Sequence, residues 1–577
     1  MYLAIRVPFF LVLSSLLCLA PSQALSSSTA DGLVIHQLEA TQQGEHTISS
    51  GKRLYDQYCA SCHHVDRIGH SGPPLLPQFI KRKSPQQLEK IILQGLPATL
   101  MPPFPNLTVQ DAAAIIGYLS KPATFRWTKE DIETSRTAIK GTEKDIGIKD
   151  IRNITPVVER GADKVWIMED ERVLDKFPVN NVHGGIKYTL PDGERIFIPS
   201  RDGWVTQYSL NKGRLLNKAR ACVYLRNIAV SQDNRRLFAT CRLPQNMVVF
   251  DAASLKVETI LPLQGRISAL YDLYSRDQAL FTYRDKPLLG ILNTKTLAID
   301  YIPLDEPYED FFIDPFENFI IGTSRHGKQM EVFDLRTKKV VFSHPIDSMP
   351  HLFSATYWYQ DGHFYFATPH LKQSAITIWK MYDWNFVKKI DVGGDGFFVK
   401  THPATPWLWV DNGSDQLVLV SKKDYKTKVL TPINGKKFNH TEFSGDGKFA
   451  YLSIYEPDGA LLVYDTASLK ELDHYPANVP VGKYNFVNKN RRFYPALFGQ
   501  TLFEEKCWGC HHQTAEAFGP AFAQIAASRT DAQIMAHITA PESSAKSLGY
   551  SRNLMPAFKL SPEQLLSITA YIKGIRQ

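Results

Sequence analysis

Phe250-Asp251-Ala252-Ala253-Ser254-Leu255 reads as an apolar strand end running into a tight polar turn. The same combination returns as Leu292 before Asn293-Thr294-Lys295-Thr296-Leu297, Phe333 before Asp334-Leu335-Arg336-Thr337, and Tyr464 before Asp465-Thr466-Ala467-Ser468-Leu469. Trp166, Tyr208, Trp379 and Val420 extend the series, and every successive separation falls in the low-to-middle forties. Read as the final strand of each unit, these eight positions define a repeat of four short strands. A period in the low forties with four strands per unit is the mark of a β-propeller, and a sandwich would not hold one period for so long. The expectation is an all-β eight-bladed propeller over residues 145–492. Cys222 and Cys241 fall within one blade, where a disulfide across neighbouring strands and two buried thiols both fit.

The rest of the chain is ordinary in composition. It has 577 residues, 44% hydrophobic and 21% charged, which excludes disorder, collagen and coiled coil. The net charge of +8 is too thin an excess to imply nucleic acid, and short runs such as Lys81-Arg82-Lys83 read as solvated surface. Residues 1–24 read as a secretory signal: Arg6 is the positive end, Val7–Ala20 the apolar stretch, Ser22-Gln23-Ala24 the cleavage site. That stretch is too short for a spanning helix, which needs roughly 20 apolar residues. The expected mature protein is periplasmic, with no membrane span.

Flanking the propeller are two copies of one small motif. Cys59-Ala60-Ser61-Cys62-His63 and Cys507-Trp508-Gly509-Cys510-His511 are both C-x-x-C-H. The spacing suits thioether attachment of haem to two cysteines, with the adjacent histidine reaching iron. Half of a zinc site is the alternative. Each copy, however, continues to a Gly-Pro (Gly72-Pro73, Gly519-Pro520) and then to a methionine in a Pro-containing loop. Met101 follows His63 at a distance similar to that of Met555 from His511. A thioether is a poor zinc ligand and a good sixth ligand for haem iron. Helices should follow, with N-caps at Thr108 and Ser561. The expectation is two all-α class I cytochrome c domains, at 45–122 and 496–577, each with covalent haem c.

A c-type module joined to an eight-bladed propeller resembles the cytochrome cd1 family, in which the propeller carries haem d1. Val182-His183 with Ser200-Arg201-Asp202-Gly203, Leu225-Arg226-Asn227-Ile228, Phe398-Val399-Lys400-Thr401-His402-Pro403 and Pro480-Val481-Gly482-Lys483-Tyr484-Asn485 carry the resemblance. It implies that His183 is the proximal ligand of the d1 iron and that Arg201 and Arg226 hold carboxylates of the macrocycle. It also implies two distal histidines. Pro350-His351 matches the second, whereas the first falls at Asp310, and an expected arginine is Ser354. A single distal histidine is similar to the biosynthetic branch of the family, dihydro-haem d1 dehydrogenase, which makes the acrylate double bond of d1. The C-terminal stretch from Ala496 onward resembles the small c-type cytochrome found with such enzymes.

The resemblance therefore implies an oxidoreductase taking two hydrogens from a propionate of dihydro-haem d1, with His351 as base, Asp310 near it, and electrons leaving through the c haems. Haem d1 or its dihydro form enters as substrate or cofactor. Expected partners are that tetrapyrrole, periplasmic electron-transfer proteins, and a d1-pathway protein or nitrite reductase. A nitrite reductase releasing nitric oxide and a non-enzymatic d1 carrier are the other readings. Glu309 and Asp310 read equally as a distal acidic pair or a solvated loop. His402 reads as a site residue or a turn-packing one, and the lone His326, His370 and His440 are assigned no role.

Overall fold

The structure is a computed structural model that describes residues 50–575 apart from 71, 82, 97–100, 326, 362, 494, 495 and 561. The expected signal at 1–24, His326 and the N-cap at Ser561 lie outside the described residues. No helix among the described residues is long and apolar enough to cross a membrane. Residues 1–124 and 125–577 are separate compact units.

The second unit contains eight antiparallel sheets arranged as blades. The inner strands of blades 2 to 8 are Lys187–Tyr188, Tyr224–Val230, Ile267–Leu273, Asp310–Ile313, Thr356–Gln360, Val399–Lys400 and Phe438–Phe443. Blade 1 comprises Ile154–Glu159, Lys164–Glu169 and Arg172–Pro178, and takes its inner strand, Pro480–Lys483, from the far end of the propeller. Pairing of Val157 with Lys483 thus closes the ring by joining the two ends of the propeller within one blade. Thr137–Ala138 adds a fifth strand to the outer edge of blade 2.

The repeating apolar residue sits on the third strand of each blade, not the final one. Seven of the eight pair with the residue seven places on, from Tyr208 with Leu215 through Phe250 with Val257 to Tyr464 with Glu471. The turn between explains the recurring sequence. Asp251 Oδ1 accepts the Ser254 N–H at 2.8 Å, Asp465 does the same for Ser468 at 2.7 Å, and Leu255, Leu297 and Leu469 take φ of 55–66°. An Asx-type side chain is what makes that left-handed turn accessible to a non-glycine residue. Cys222 and Cys241 are joined as a disulfide, with Cα atoms 6.2 Å apart. Such a bridge fits an oxidising compartment.

Each C-x-x-C-H copy sits in a small helical domain. In the first, Pro85–Gln94 starts at a Ser84/Gln87 capping box and Val109–Leu119 at a Thr108/Asp111 one. The helix entering the first motif crosses Val109–Leu119 so closely that a Cβ on Gly51 would lie 2.2 Å from the Ala114 carbonyl oxygen. Gly499 stands at the same distance before its own first cysteine, and a Cβ there would lie 2.4 Å from Ser567 O of the helix Pro562–Gly574. Only glycine permits these crossings. The second domain is also seated on the propeller: Leu566 and Ala570 join the apolar cluster of blades 5 and 6 with Phe316, Phe319 and Trp384.

Candidate functional site

Inner strands of a propeller run parallel, so the central channel has a face where they begin and one where they end. A cavity of about 500 Å³ occupies the beginning half, within the size range of small-molecule sites. Along blade 4 it is lined by Ala269, Leu270 and Tyr271, whereas Asp272 and Tyr274 line a second cavity of about 570 Å³ beyond the strand ends. The second cavity lies between the propeller and the C-terminal helical domain, which contributes Met535, Leu566 and Tyr571.

The floor between the two is the segment that follows ring closure. Asn485 caps the helix Phe486–Lys489 and donates through Nδ2 to Ile154 O and Thr155 Oγ1 of blade 1. Asn488 donates to Phe443 O of blade 8, Arg491 to Tyr357 O of blade 6, and Arg492 to Asp272 O of blade 4. Arg492, which also meets Glu317 at 3.2 Å, lines both cavities. One short segment thus ties blades on opposite sides of the ring.

Of the sequence-derived residues, His183, Arg226 and His351 line the first cavity, and Arg201 does not. His183 lies in the loop before the blade 2 inner strand, and its buried Nδ1 has no hydrogen-bond partner. Burial, then Arg201 and Arg226, hold its imidazole well below the ordinary range, so the ring that lines the cavity is neutral. His351 precedes the blade 6 inner strand. Its Nδ1 lies 2.7 Å from Asp310 Oδ2, and the other Asp310 oxygen accepts the Phe353 N–H at 2.7 Å. Asp310 is therefore neither solvated loop nor free acid: it is the buried first residue of the blade 5 inner strand. Burial raises its carboxyl, and the hydrogen bond from His351 opposes that shift. The pair leaves His351 Nε2 as the ring nitrogen available to a ligand. Phe353 and Phe397 flank the ring at 6.2 and 6.4 Å.

The sequence reading missed most of the cavity's charge. Lys187, Lys400, Lys483, Lys489, Arg491 and Arg492 line it beside Arg160 and Arg226, and Glu442 is the acid in the same lining. Burial pushes Lys483 and Lys489 down to about 7 and Arg226 to about 10. Lys187 and Arg492 are paired with Asp272 and Glu317 outside this lining, whereas Arg226, Lys483 and Lys489 form no ion pair among the described residues, and buried cations of that kind suit an anionic ligand. Two of these lysines stood inside segments that carried the resemblance, but a lone Lys in a strand reads as surface. His440, assigned no role, also lines the cavity. It takes φ 56° at a bulge in the blade 8 inner strand, stacks edge-on against Phe398 at 4.6 Å, and has an unpartnered buried Nδ1. The register break is what aims it inward, and no local signal announces that. His402 packs a turn, with its ring bonded to the Ala404 N–H and Gly445 O.

The two C-x-x-C-H sites match in detail. His63 Nδ1 lies 2.7 Å from Pro73 O, and His511 Nδ1 lies 2.8 Å from Pro520 O. A backbone carbonyl in that place fixes the Nδ1–H tautomer and leaves Nε2 for a metal. A Cβ on Gly72 would come within 2.6 Å of the His63 ring, and one on Gly519 within 2.5 Å of His511. The thiols of Cys59, Cys62, Cys507 and Cys510 are unbridged. Among the described residues no cluster of three or more His, Cys, Asp or Glu side chains surrounds either motif, as zinc would need. The residues present fit covalent haem. Met101 and Met555 are held by backbone contacts in their loops, Met101 O accepting from Leu96 N and Met555 N donating to Asn553 Oδ1.

Residues 149–489 match the cytochrome D1 heme domain family, residues 46–119 the cytochrome C oxidase, cbb3-type, subunit III family, and residues 496–576 the cytochrome c family. Dihydro-heme d1 dehydrogenase of Pseudomonas aeruginosa is 36% identical over 483 residues, covering 79% of this chain and 97% of the relative. A solved "Dihydro-heme d1 dehydrogenase NirN in complex with DHE" superposes with a TM-score of 0.73 at 34% identity, covering 77% of this chain and all of that one. Cytochrome c55X of Paracoccus denitrificans is 36% identical over 74 residues, 13% of this chain and 72% of the relative. The chain belongs to the cytochrome d1 haem-domain family, carrying a c-type cytochrome domain on each side of the propeller.

Proposed function

We propose that this protein is a periplasmic dihydro-haem d1 dehydrogenase that converts a propionate of the d1 precursor to acrylate. The reaction is –CH2–CH2–COO⁻ to –CH=CH–COO⁻ with release of two protons and two electrons. The observation that carries the reading is the Asp310–His351 pair, 2.7 Å apart, with His351 on the cavity wall and Asp310 buried behind it. Asp310 holds the imidazole and stabilises the cation that forms when Nε2 takes a proton. The carboxylate is thereby committed to orientation, so Asp310 does not supply the second distal proton donor that cleavage of nitrite calls for. His183 is the ligand for the tetrapyrrole iron. Arg226 and the buried lysines hold the carboxylates.

Cys59, Cys62 and His63 would hold one haem c, and Cys507, Cys510 and His511 the other, with Met101 and Met555 as the further candidate ligands. When bound, each haem c accepts one electron, so the pair matches the two-electron oxidation. The likeness of a 74-residue stretch of this chain to cytochrome c55X supports a fused electron acceptor in place of a separate one.

The test is anaerobic mixing of the holoprotein with dihydro-haem d1 and an electron acceptor. Appearance of the d1 spectrum is expected, with little nitric oxide from nitrite. His351→Ala should slow conversion by about 10²–10⁴-fold with binding retained, and Asp310→Asn by roughly 10–100-fold. Nitrite turnover at a respiratory rate would overturn the reading.

A further inference from the structure

The propeller repeat carries a second regularity, in charge. Arg160, Arg201, Arg242, Arg284 and Arg325 recur at nearly constant spacing, in step with the blades. Each lies at the end of its blade's second strand or in the turn directly after it, in blades 1, 2, 3, 4 and 5. Blade 1 differs in that Arg160 follows its own first-paired strand, Ile154–Glu159, which stands second from the axis. Second strands run opposite to inner strands, so these ends lie on the face where the inner strands begin, the face of the first cavity. Arg160 reaches the cavity lining, and the other four stand outside it. The corresponding positions of blades 6, 7 and 8 are His370, Asn412 and Tyr455, which are uncharged or tied into the fold. His370 bonds Ser348 and Thr377, Asn412 donates to Val392 O, and Tyr455 accepts from Arg160. The mouth therefore has a basic crescent on one side and a neutral arc on the other.

Structure consumes the crescent only in part: Arg160 donates to Tyr455 and Arg242 Nε to Ile267 O. Arg242 Nη2 and Arg284 Nε are buried and find no hydrogen-bond partner among the described residues. Arg325 meets Glu309 at 3.7 Å while its own side chain stays half exposed. The arginines act on one another: burial, then Arg226 and Arg284, push Arg242 down to about 9, and burial, then Arg325, lowers Arg284 against the opposing Glu309 and Asp310. A row of like charges repeated over five blades costs stability unless something anionic visits it.

We propose that the arginine crescent is an entry rim that captures the carboxylate-bearing tetrapyrrole and steers it, carboxylate edge first, into the cavity. The proposal rests on the tetrapyrrole reading above. Steering acts on encounter, so its signature is an association rate that falls with salt while dissociation is untouched. The one-sided charge also selects an orientation, which a symmetric ring could not do.

The experiment measures binding of dihydro-haem d1 to the full-length holoprotein by stopped-flow absorbance, without turnover. Arg284→Gln combined with Arg325→Gln should lower the association rate about 5–10-fold at low ionic strength, shrinking to less than about twofold at high salt. Dissociation rate and final spectrum should be unchanged. Lys423→Gln with Lys426→Gln, two exposed blade 7 charges, is the control and should leave the rate within about twofold. An iron porphyrin carrying free carboxylates should share the effect, and its methyl ester should not. Equal rates in variant and wild type would overturn the proposal. So would a loss confined to the dissociation rate, or one seen only when the ligand arrives on an acidic carrier protein. Failure of dihydro-haem d1 to bind the wild type at all would instead overturn the reading on which the proposal rests.

Discussion

The two cytochrome domains are one design finished in two ways. The parts that hold the haem are copied closely: the glycine one helical stretch before the first cysteine, the proline carbonyl on the ligating histidine, and the glycine against its ring. Even the aromatic contact behind the motif repeats, Tyr55 with Tyr118 and Phe503 with Tyr571, each at 5.4 Å between ring centroids. The outer parts diverge. In the first domain Arg67 donates to the Tyr118, Leu119 and Lys121 carbonyls and so closes the end of the last helix. In the second, Lys573 on the last helix itself reaches Ala526 O and Arg529 O, and Leu566 and Ala570 are spent on the propeller. The second also leaves Trp508, Phe518 and Leu554 exposed beside its haem-holding residues. Iron chemistry constrains the cradle tightly, whereas the outer surface is free to follow whatever each domain must touch.

That contrast can be broken outright by counting haems. Cys507→Ala with Cys510→Ala should drop covalent haem from two per chain to one after acid-acetone extraction, and Cys59→Ala with Cys62→Ala should do the same. Any residual covalent haem on the doubly altered motif would show that the cradles are not equivalent. A smaller perturbation tests the cradle itself. Gly72→Ala and Gly519→Ala each push a methyl into the ligating ring, and each should weaken iron–histidine bonding roughly 10–100-fold. Acid displacement of the histidine, followed in the low-spin spectrum, reads this directly. Matching losses uphold the shared cradle, and an effect in one domain alone breaks it.

Seating comes next in size. Leu566→Asp should cost about 1–3 kcal/mol, uncoupling the C-terminal domain from the propeller as a separate, earlier calorimetric transition. A single unshifted transition would mean the apolar contact contributes nothing. The smallest expected effect is one of pH, in the haem-free chain. Burial lowers the His63 imidazole below its ordinary value, so the folded domain excludes a proton that the unfolded chain accepts. Its stability is full above about 6.5 and declines as pH falls below that. Melting of residues 50–124 against pH checks the sign, and His63→Gln should flatten the decline.

The blade count was legible because a third-strand residue recurs with its Asx turn, and a repeat needs no knowledge of packing to be seen. Its strand was misjudged because the fourth strand of each blade is polar and half exposed, as with Lys339–Pro345, and so lacks the alternation that marks a strand. The haem motifs were legible because covalent chemistry fixes spacing. The cavity was legible only in part. His183, Arg226 and His351 stood in recognisable segments, but His440 owes its place to a bulge, and Lys489, Arg491 and Arg492 to a chain segment folded under the ring. The partnership of Asp310 with His351 joins two neighbouring blades, a contact that only the packing of one blade on the next creates.

That closure also sets an order in time. Blade 1 begins at Ile154, yet its inner strand ends at Lys483, so a chain emerging amino end first must wait for nearly the whole propeller before its last strand arrives. Throughout that interval Ile154–Glu159, a strand buried along its whole length in the finished ring, presents an unpaired edge. The residues that end the wait are followed at once by Asn485–Arg492 and then by the second cytochrome. Ring, cavity floor and docking surface thus become complete in quick succession, and a ribosome or translocase that stalls before residue 480 would leave all three unmade and one adhesive strand exposed.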